Sequence, residues 1–310
     1  MDIARHLFGS TGWTVSCLGF GGAPMAYLKT ERQRISQLLN KLLDEGVNLI
    51  DTAAMYPGSE EAIGATIGHR RNEYLLVTKC GNKAPDINEQ PWSAALIGKT
   101  IDRSLKLLRT EVIDVALLHS CDLATLKKGE AIGALLEAQA AGKIRWAGYS
   151  GDNEAAAYAA NLKQIAVIQM SVNIADQANL DMVLPICREK NIAVIAKRPI
   201  ANAAWKEMSD QRGVYANYAR EYHERLLKMN LAPVEMGIKG PPEKAWPELA
   251  LRFTLSVPGV HCAIVGTTNP NNAQANLEIA ARGELPREKV EKIRELFTRA
   301  KGEQHWPALQ

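Results

Sequence analysis

Asp51, Tyr56, Lys79 and His119 stand at or just beyond the C-terminal ends of three successive apolar runs, VNLID, YLLVTK and DVALLH. A carboxylate, a phenol, an amine and an imidazole gathered at one rim are equipped to hand a proton to a carbonyl oxygen. A tyrosine, with an unperturbed pKa of about 10, keeps its proton at neutral pH and can serve as a general acid. An ammonium beside it stabilises the phenolate that forms, each unit of pKa lowering being worth about 1.4 kcal/mol, and a carboxylate holds that ammonium charged and in place. The expected roles are Tyr56 as acid, Lys79 and Asp51 as its tuning pair, and His119 as the group that orients the substrate oxygen. Taken singly, each residue has a structural explanation: a turn cap for Asp51, a solvated strand end for Lys79, a core imidazole for His119, a packing ring for Tyr56. Three polar residues at matching ends of consecutive strands outweigh those readings, because charged groups are rarely buried unpaired and Asp51 and Lys79 can pair with each other.

The rest of the chemistry is bounded by what the chain lacks. No serine sits in a GxSxG context and no paired carboxylates flank the site, so proton transfer to a carbonyl fits better than hydrolysis, and the missing reactant is a hydride. The six histidines form no HExxH and pair with no CxxC, so no metal is expected. Cys17, Cys80, Cys121, Cys187 and Cys262 are odd in number and widely spaced, as suits buried thiols in a reducing cytosol. Lys plus Arg number 37 against 34 for Asp plus Glu, and neither sign runs in a block, which argues against nucleic acid and for a small-molecule substrate. The N-terminus shows no basic-then-apolar leader, and no run approaches the roughly 18 to 20 apolar residues of a membrane span. The expectation is a cytoplasmic protein, monomeric or weakly self-associating, with no membrane partner.

The elements that must position these residues follow from periodicity. Eight apolar runs qualify as strands: CLGFGG, VNLID, YLLVTK, DVALLH, IRWAGYS, AVIQM, IAVIAK and HCAIVG. Between the first two, Ile35, Leu38, Leu39, Leu42 and Leu43 recur at helical spacing from Arg32 to Glu45, with Thr30 and Gln33 as a capping box and Gly46 as the stop. Ser93 can cap a second helix with Leu96, Ile97, Ile101, Leu105 and Leu108 on its face, and Ile132, Leu135 and Leu136 mark a third that ends near Gly142. Eight strand-helix units are the number that closes a (β/α)8 TIM barrel, and 310 residues suit one such α/β domain over residues 1–310. An open doubly wound sheet is the alternative; Gly19, Gly21 and Gly22 lack the third glycine of GxGxxG, and Pro24 follows them. The stretch from Ile200 to Trp246, with Trp205, Tyr215, Tyr218 and Tyr222, breaks the rhythm as a long insertion before the last strand. It reads equally as a wall of the substrate pocket or as a helical excursion on the outside.

The segment EGVNLIDTAAMYPGSEEAIG, with LLVTK and LLHSCD, resembles the aldo-keto reductase superfamily, and the likeness runs through nearly the whole chain. The resemblance implies a barrel whose bottom is closed by an N-terminal β-hairpin at roughly residues 4 to 16, and NADP(H)-dependent interconversion of carbonyls and alcohols with Tyr56 protonating the oxygen. It further implies a cofactor that meets Gly22 and Ala23 after the first strand, close to Asp51, with its carboxamide at Ser150 and Gln169. The nicotinamide face would lie by Lys197 and Arg198, the diphosphate near Ile200 and Ala201, and the adenosine end at Gly266, Thr267, Thr268, Asn272 and Asn276. Independently of the family, Asn269-Pro270 reads as an N-cap and first helical position, which leaves backbone N-H groups free for a phosphate.

The chain departs from the family pattern in places. Gly151 stands where an asparagine is common, Lys197 or Arg198 where an aromatic ring often stacks on the nicotinamide, and Gly266 and Asn272 where Lys or Arg often meets the 2'-phosphate. NADPH remains the expected cofactor over NADH, with NAD(H) an open option. Two further classes stay open: a cofactor-binding regulatory or redox-sensor subunit, since channel β-subunits share this barrel, and a metal-dependent barrel hydrolase.

Overall fold

Strands buried on both faces need nearly continuous apolar side chains, and every one of the eight apolar runs forms such a strand. In the computed structural model, which describes residues 2–27, 31–207, 209 and 216–309, these are β3 (Leu18–Gly21), β4 (Leu49–Asp51), β5 (Leu75–Cys80), β6 (Ile113–His119), β7 (Ile144–Ser150), β8 (Val167–Ser171), β9 (Ala193–Lys197) and β10 (Cys262–Val265). They pair in parallel in the order β10-β3-β4-β5-β6-β7-β8-β9 and close on themselves. This is the expected (β/α)8 barrel and not the open sheet. Two earlier strands, β1 (Arg5–Leu7) and β2 (Thr14–Ser16), form an antiparallel hairpin, and Phe8 and Val15 from that segment pack under the barrel's inner side chains.

Side chains two apart on a strand share a face. On the inner face of β5, Leu75 and Val77 are followed by Lys79; on β6, Val115 and Leu117 by His119; on β9, Ala193 and Ile195 by Lys197. Leu49 precedes Asp51 on β4 and Val167 precedes Gln169 on β8 in the same way. The lower members of each series belong to one buried apolar cluster, so the next inward position on each strand forms a polar layer at the C-terminal mouth.

The helices follow their apolar faces. Helix Arg32–Asp44 buries Ile35, Leu38, Leu39, Leu42 and Leu43, and the chain turns out of it at Gly46, with φ of 91°. Glu31 occupies its N-cap without a side-chain hydrogen bond, while Thr30 lies outside the described residues. Ser93 caps helix Ala94–Leu108 by accepting from the Leu96 N-H at 3.2 Å, and helix Glu130–Ala140 buries Ile132 and Leu135. Within the long segment before β10, helix Ala216–Met229 packs on the C-terminal helix Arg287–Lys301, and Trp205 stacks on Trp246 with ring centroids 5.8 Å apart. The excursion is helical, and it also reaches the rim, because the buried Tyr222 hydroxyl donates to Asp176 Oδ2 at 2.8 Å. Tyr215 and the side chain of Tyr218 lie outside the described residues. All five cysteines are buried and unpaired, and no described helix is long and apolar enough to cross a membrane.

Leu117 is fully buried in the inner cluster directly below the polar layer. Leu117→Ala is expected to lower unfolding free energy by about 2–5 kcal/mol, read from the urea midpoint at constant m-value.

Candidate active site

The polar layer is built around one ion pair. Lys79 Nζ donates to both carboxylate oxygens of Asp51 at 2.7 Å and to the Thr52 carbonyl at 2.8 Å. Both side chains are almost wholly out of solvent, at 2% and 4% exposure. Burial pushes the Asp51 carboxyl up and the Lys79 amine down, and the charge of each opposes the shift of the other. Gln169 Nε2 donates to Asp51 Oδ1 at 2.8 Å, and Ser150 Oγ donates to Gln169 Oε1 at 3.0 Å. Because β4 and β8 stand opposite each other on the ring of eight, the Gln169–Asp51 bond bridges the barrel mouth. The polar layer is thereby tied together across the barrel as well as around it.

Tyr56 reaches this layer from the loop after β4. That loop is held by backbone bonds from Thr52 N to Val77 O at 2.8 Å and from Ala54 N to Lys79 O at 3.1 Å, and the turn continues from Tyr56 N to Ala53 O. Lys79 Nζ lies 5.5 Å from the centroid of the Tyr56 ring, and the His119 ring meets Tyr56 edge to face, with centroids 5.8 Å apart and an interplanar angle of 84°. All four expected residues therefore meet at one place. Desolvation, with the charges of Lys79 and Lys197 next in size, drives the His119 pKa well below its usual value, so the imidazole is neutral at pH 7. Its Nδ1 is buried with no hydrogen-bond partner among the described residues. A neutral, underused imidazole beside a phenol and an ammonium can orient a carbonyl oxygen that the phenol protonates.

The remaining positions lie around the same mouth. Gly22 N donates to Asp51 O at 2.7 Å, and a Cβ at Gly22 would come within 2.9 Å of that oxygen, so only glycine allows β3 to lie this close to the ion pair. Ala23 begins the short helix that follows. On β10's side, Gly266 packs against Pro24 and the Gly21 carbonyl, again closer than a Cβ allows. Thr267 Oγ1 accepts from Asn269 N at 3.1 Å, and Asn269 caps helix Pro270–Ala281 by accepting from Asn271 N at 3.0 Å. Asn272 is exposed and Asn276 buried on that helix. Arg198, Ala201, Asn202 and Ala203 have positive φ, so the backbone around Ile200 and Ala201 takes a left-handed path that few non-glycine residues adopt.

Two features were not foreseen from the sequence. Lys197 Nζ pairs with Asp152 Oδ2 at 2.8 Å, and Asp152 Oδ1 also accepts from Ser171 N and Asn179 Nδ2, each at 2.7 Å. The signal was the acid in GYSGDN, two residues past the end of β7. Arg198 donates to Ser171 Oγ at 3.2 Å and to the Leu309 carbonyl, while Leu309 N donates to Asp176 Oδ2 at 3.0 Å. Both cations expected near a nicotinamide are thus held by protein partners, and the C-terminal segment is fastened to the rim by its own backbone.

The family model described as "Aldo/keto reductase family" matches residues 17–297. The chain is 25% identical over 302 residues to an L-galactose dehydrogenase of Arabidopsis thaliana, covering 91% of this chain and 89% of that protein. It is 26% identical over 300 residues to an NADH-specific methylglyoxal reductase of Escherichia coli strain K12, covering 87% and 91%. Among solved structures, the holo form of an aldo-keto reductase from Bacillus halodurans aligns with a TM-score of 0.80 at 25% identity, over 95% of this chain and 96% of that one.

Removing one partner of a buried pair leaves the other charge unpaired, so Lys79→Met is expected to cost about 3–5 kcal/mol of unfolding free energy. Urea titration at pH 7 measures it. His119 carries a pH signature as well. Its folded pKa is depressed, so its contribution to stability is complete above the unfolded value of about 6.5 and declines as pH drops from there toward the folded pKa. Denaturation at pH 7 and pH 5 should show a smaller acid loss in His119→Gln than in the wild type.

Proposed function

The chain belongs to the aldo/keto reductase family, and from that premise we propose that it transfers a hydride between a nicotinamide cofactor and the carbonyl carbon of an aldehyde, ketone or sugar, with Tyr56 as the proton donor. The observation that carries the reading is the meeting of the Tyr56 and His119 rings over the Lys79–Asp51 ion pair. The residues present fit a carbonyl substrate and such a cofactor: among the described residues His119 Nδ1 is a buried polar atom without a hydrogen-bond partner, open to the carbonyl oxygen, and Ser150 and Gln169 bring hydroxyl and amide groups suited to a carboxamide. When bound, the cofactor supplies the hydride.

The chain's own residues do the rest. His119, neutral, hydrogen-bonds the carbonyl oxygen and sets its direction toward the Tyr56 hydroxyl. Tyr56 releases its proton to that oxygen, and Lys79 stabilises the phenolate left behind. Asp51 keeps Lys79 ionised and in place, and Gln169 fixes Asp51 from across the mouth. In the same reading Gly22, Ala23 and Asp51 border the cofactor after β3, with Ser150 and Gln169 at its carboxamide and Lys197 and Arg198 by the nicotinamide. Ile200 and Ala201 would lie at the diphosphate, and Gly266, Thr267, Thr268, Asn272 and Asn276 at the adenosine end. The chain works as one barrel unit over residues 1–310.

NADPH is the proposed cofactor, with NADH the other option, since the relative from Escherichia coli is NADH-specific. The test is oxidation of NADPH and of NADH, followed at about 340 nm, against a panel of aldehydes, ketones and keto sugars. Turnover with one cofactor supports the reading; cofactor binding without turnover on any carbonyl replaces it with a regulatory role. Tyr56→Phe removes the proton donor and little volume. It is expected to lower kcat by about 10²- to 10⁴-fold while the cofactor Kd stays near wild type, and unchanged turnover would sink the mechanism.

A further inference from the structure

Lys197 occupies the inner face of β9 two residues above Ile195, in the same polar layer as Asp51, Lys79, His119 and Gln169. It is a second cation in a layer whose anion, Asp51, already has a partner. Its own partner is Asp152, which is entirely buried and also held by Ser171 and Asn179, whereas the Lys197 side chain retains 13% exposure. Burial lowers the Lys197 pKa, and the carboxylates of Asp152 and Asp176 oppose that shift, so the pair holds the amine charged within the polar layer. Its charge reaches the reacting groups: it lowers the basicity of His119 and opposes the burial-driven rise at Asp51.

We propose that Lys197 makes the site discriminate between the redox states of its nicotinamide cofactor, holding the reduced form more tightly than the oxidised form and so biasing the enzyme toward carbonyl reduction. The inference rests on the functional reading above. Reduction moves a hydride from the ring to the carbonyl carbon and a proton from Tyr56 to the oxygen, and the ring that loses the hydride becomes a cation. A fixed ammonium repels the cationic state alone, which lowers affinity for the oxidised product and speeds its departure. Charge-charge interactions across several ångströms in a mouth of this burial are worth about a factor of ten in affinity after the opposing charge of Asp152 is allowed for. A tenfold preference corresponds to about 30 mV in the potential of the bound two-electron couple.

The experiment titrates NADPH and NADP+, and NADH and NAD+, onto the full-length protein by fluorescence quenching or calorimetry, with melting temperature recorded for each variant. Wild type is expected to bind the reduced form more tightly. Lys197→Gln should reduce the ratio of oxidised to reduced Kd by about tenfold, Lys197→Arg should preserve it, and Asp152→Asn should raise it, because of the two carboxylates that oppose the cation only Asp176 then remains. A purely structural ion pair predicts something different: Lys197→Gln and Asp152→Asn would weaken both cofactor forms together and leave the ratio unchanged. That result overturns the proposal. Should Lys197→Gln fail to fold, the opposite-signed shift in Asp152→Asn and the preserved ratio in Lys197→Arg still decide it. A wild type that binds neither form refutes the functional reading, whereas one that binds both with a ratio indifferent to these substitutions refutes only the role of Lys197.

Discussion

An ammonium and a carboxylate almost wholly removed from water, 2.7 Å apart at the mouth of a closed barrel, set the terms for everything around them. Desolvating two charges costs several kcal/mol each, and only close pairing with further hydrogen bonds offsets that. Lys79 and Asp51 meet the requirement with the Thr52 carbonyl on one side and the Gln169 amide on the other. Replacing a buried ion pair by apolar residues of similar volume is often neutral or stabilising, so stability alone does not account for this one. The arrangement makes sense as a means of keeping a positive charge immobile beneath a phenol, and the rigid barrel supplies the immobility.

The barrel does so through its own periodicity. Parallel strands alternate their side chains, so on these strands the inward position two residues beyond the last apolar one is the first that meets the mouth. Asp51, Lys79, His119, Gln169 and Lys197 all stand at that step. Below them lies the buried apolar cluster of inward side chains, closed at the bottom by Phe8 and Val15 of the hairpin segment. Above them are loops. At the boundary between the low-dielectric core and the open mouth, burial lowers the basicity of His119 first, and the charges of Lys79 and Lys197 lower it further.

Outside this layer, the rim is completed from distant parts of the chain. Helix Ala216–Met229 sends Tyr222 to Asp176, and Asp176 also receives the Leu309 N-H. Asn153 and Ala308 exchange two hydrogen bonds, and Arg225 donates to the Pro307 carbonyl at 2.8 Å. Side chains fixed by the barrel thus grip the backbone of the C-terminal segment, and the same segment holds Arg198 through the Leu309 carbonyl. The excursion and the C-terminus share a single polar contact region beside the mouth.

Local pattern carried much of this information. Runs of branched apolar residues ending in Asp, Lys and His specify strands and place polar groups at their ends, because burial on both faces admits few polar side chains before the rim; helix faces and the caps at Ser93 and Asn269 were equally legible, being set by residues three or four apart. Tyr56 could be read from its distance past Asp51. The Lys197–Asp152 pair, the bridge from Gln169 to Asp51 and the clasp on Leu309 could not, since they join residues separated by 45, 118 and 111 positions or more in the chain. The sequence by itself determined which side chains reach the mouth, since alternation along a strand is a local property. Only closure of the barrel decided which of them touch, because a contact across the ring depends on the order, register and curvature of all eight strands at once.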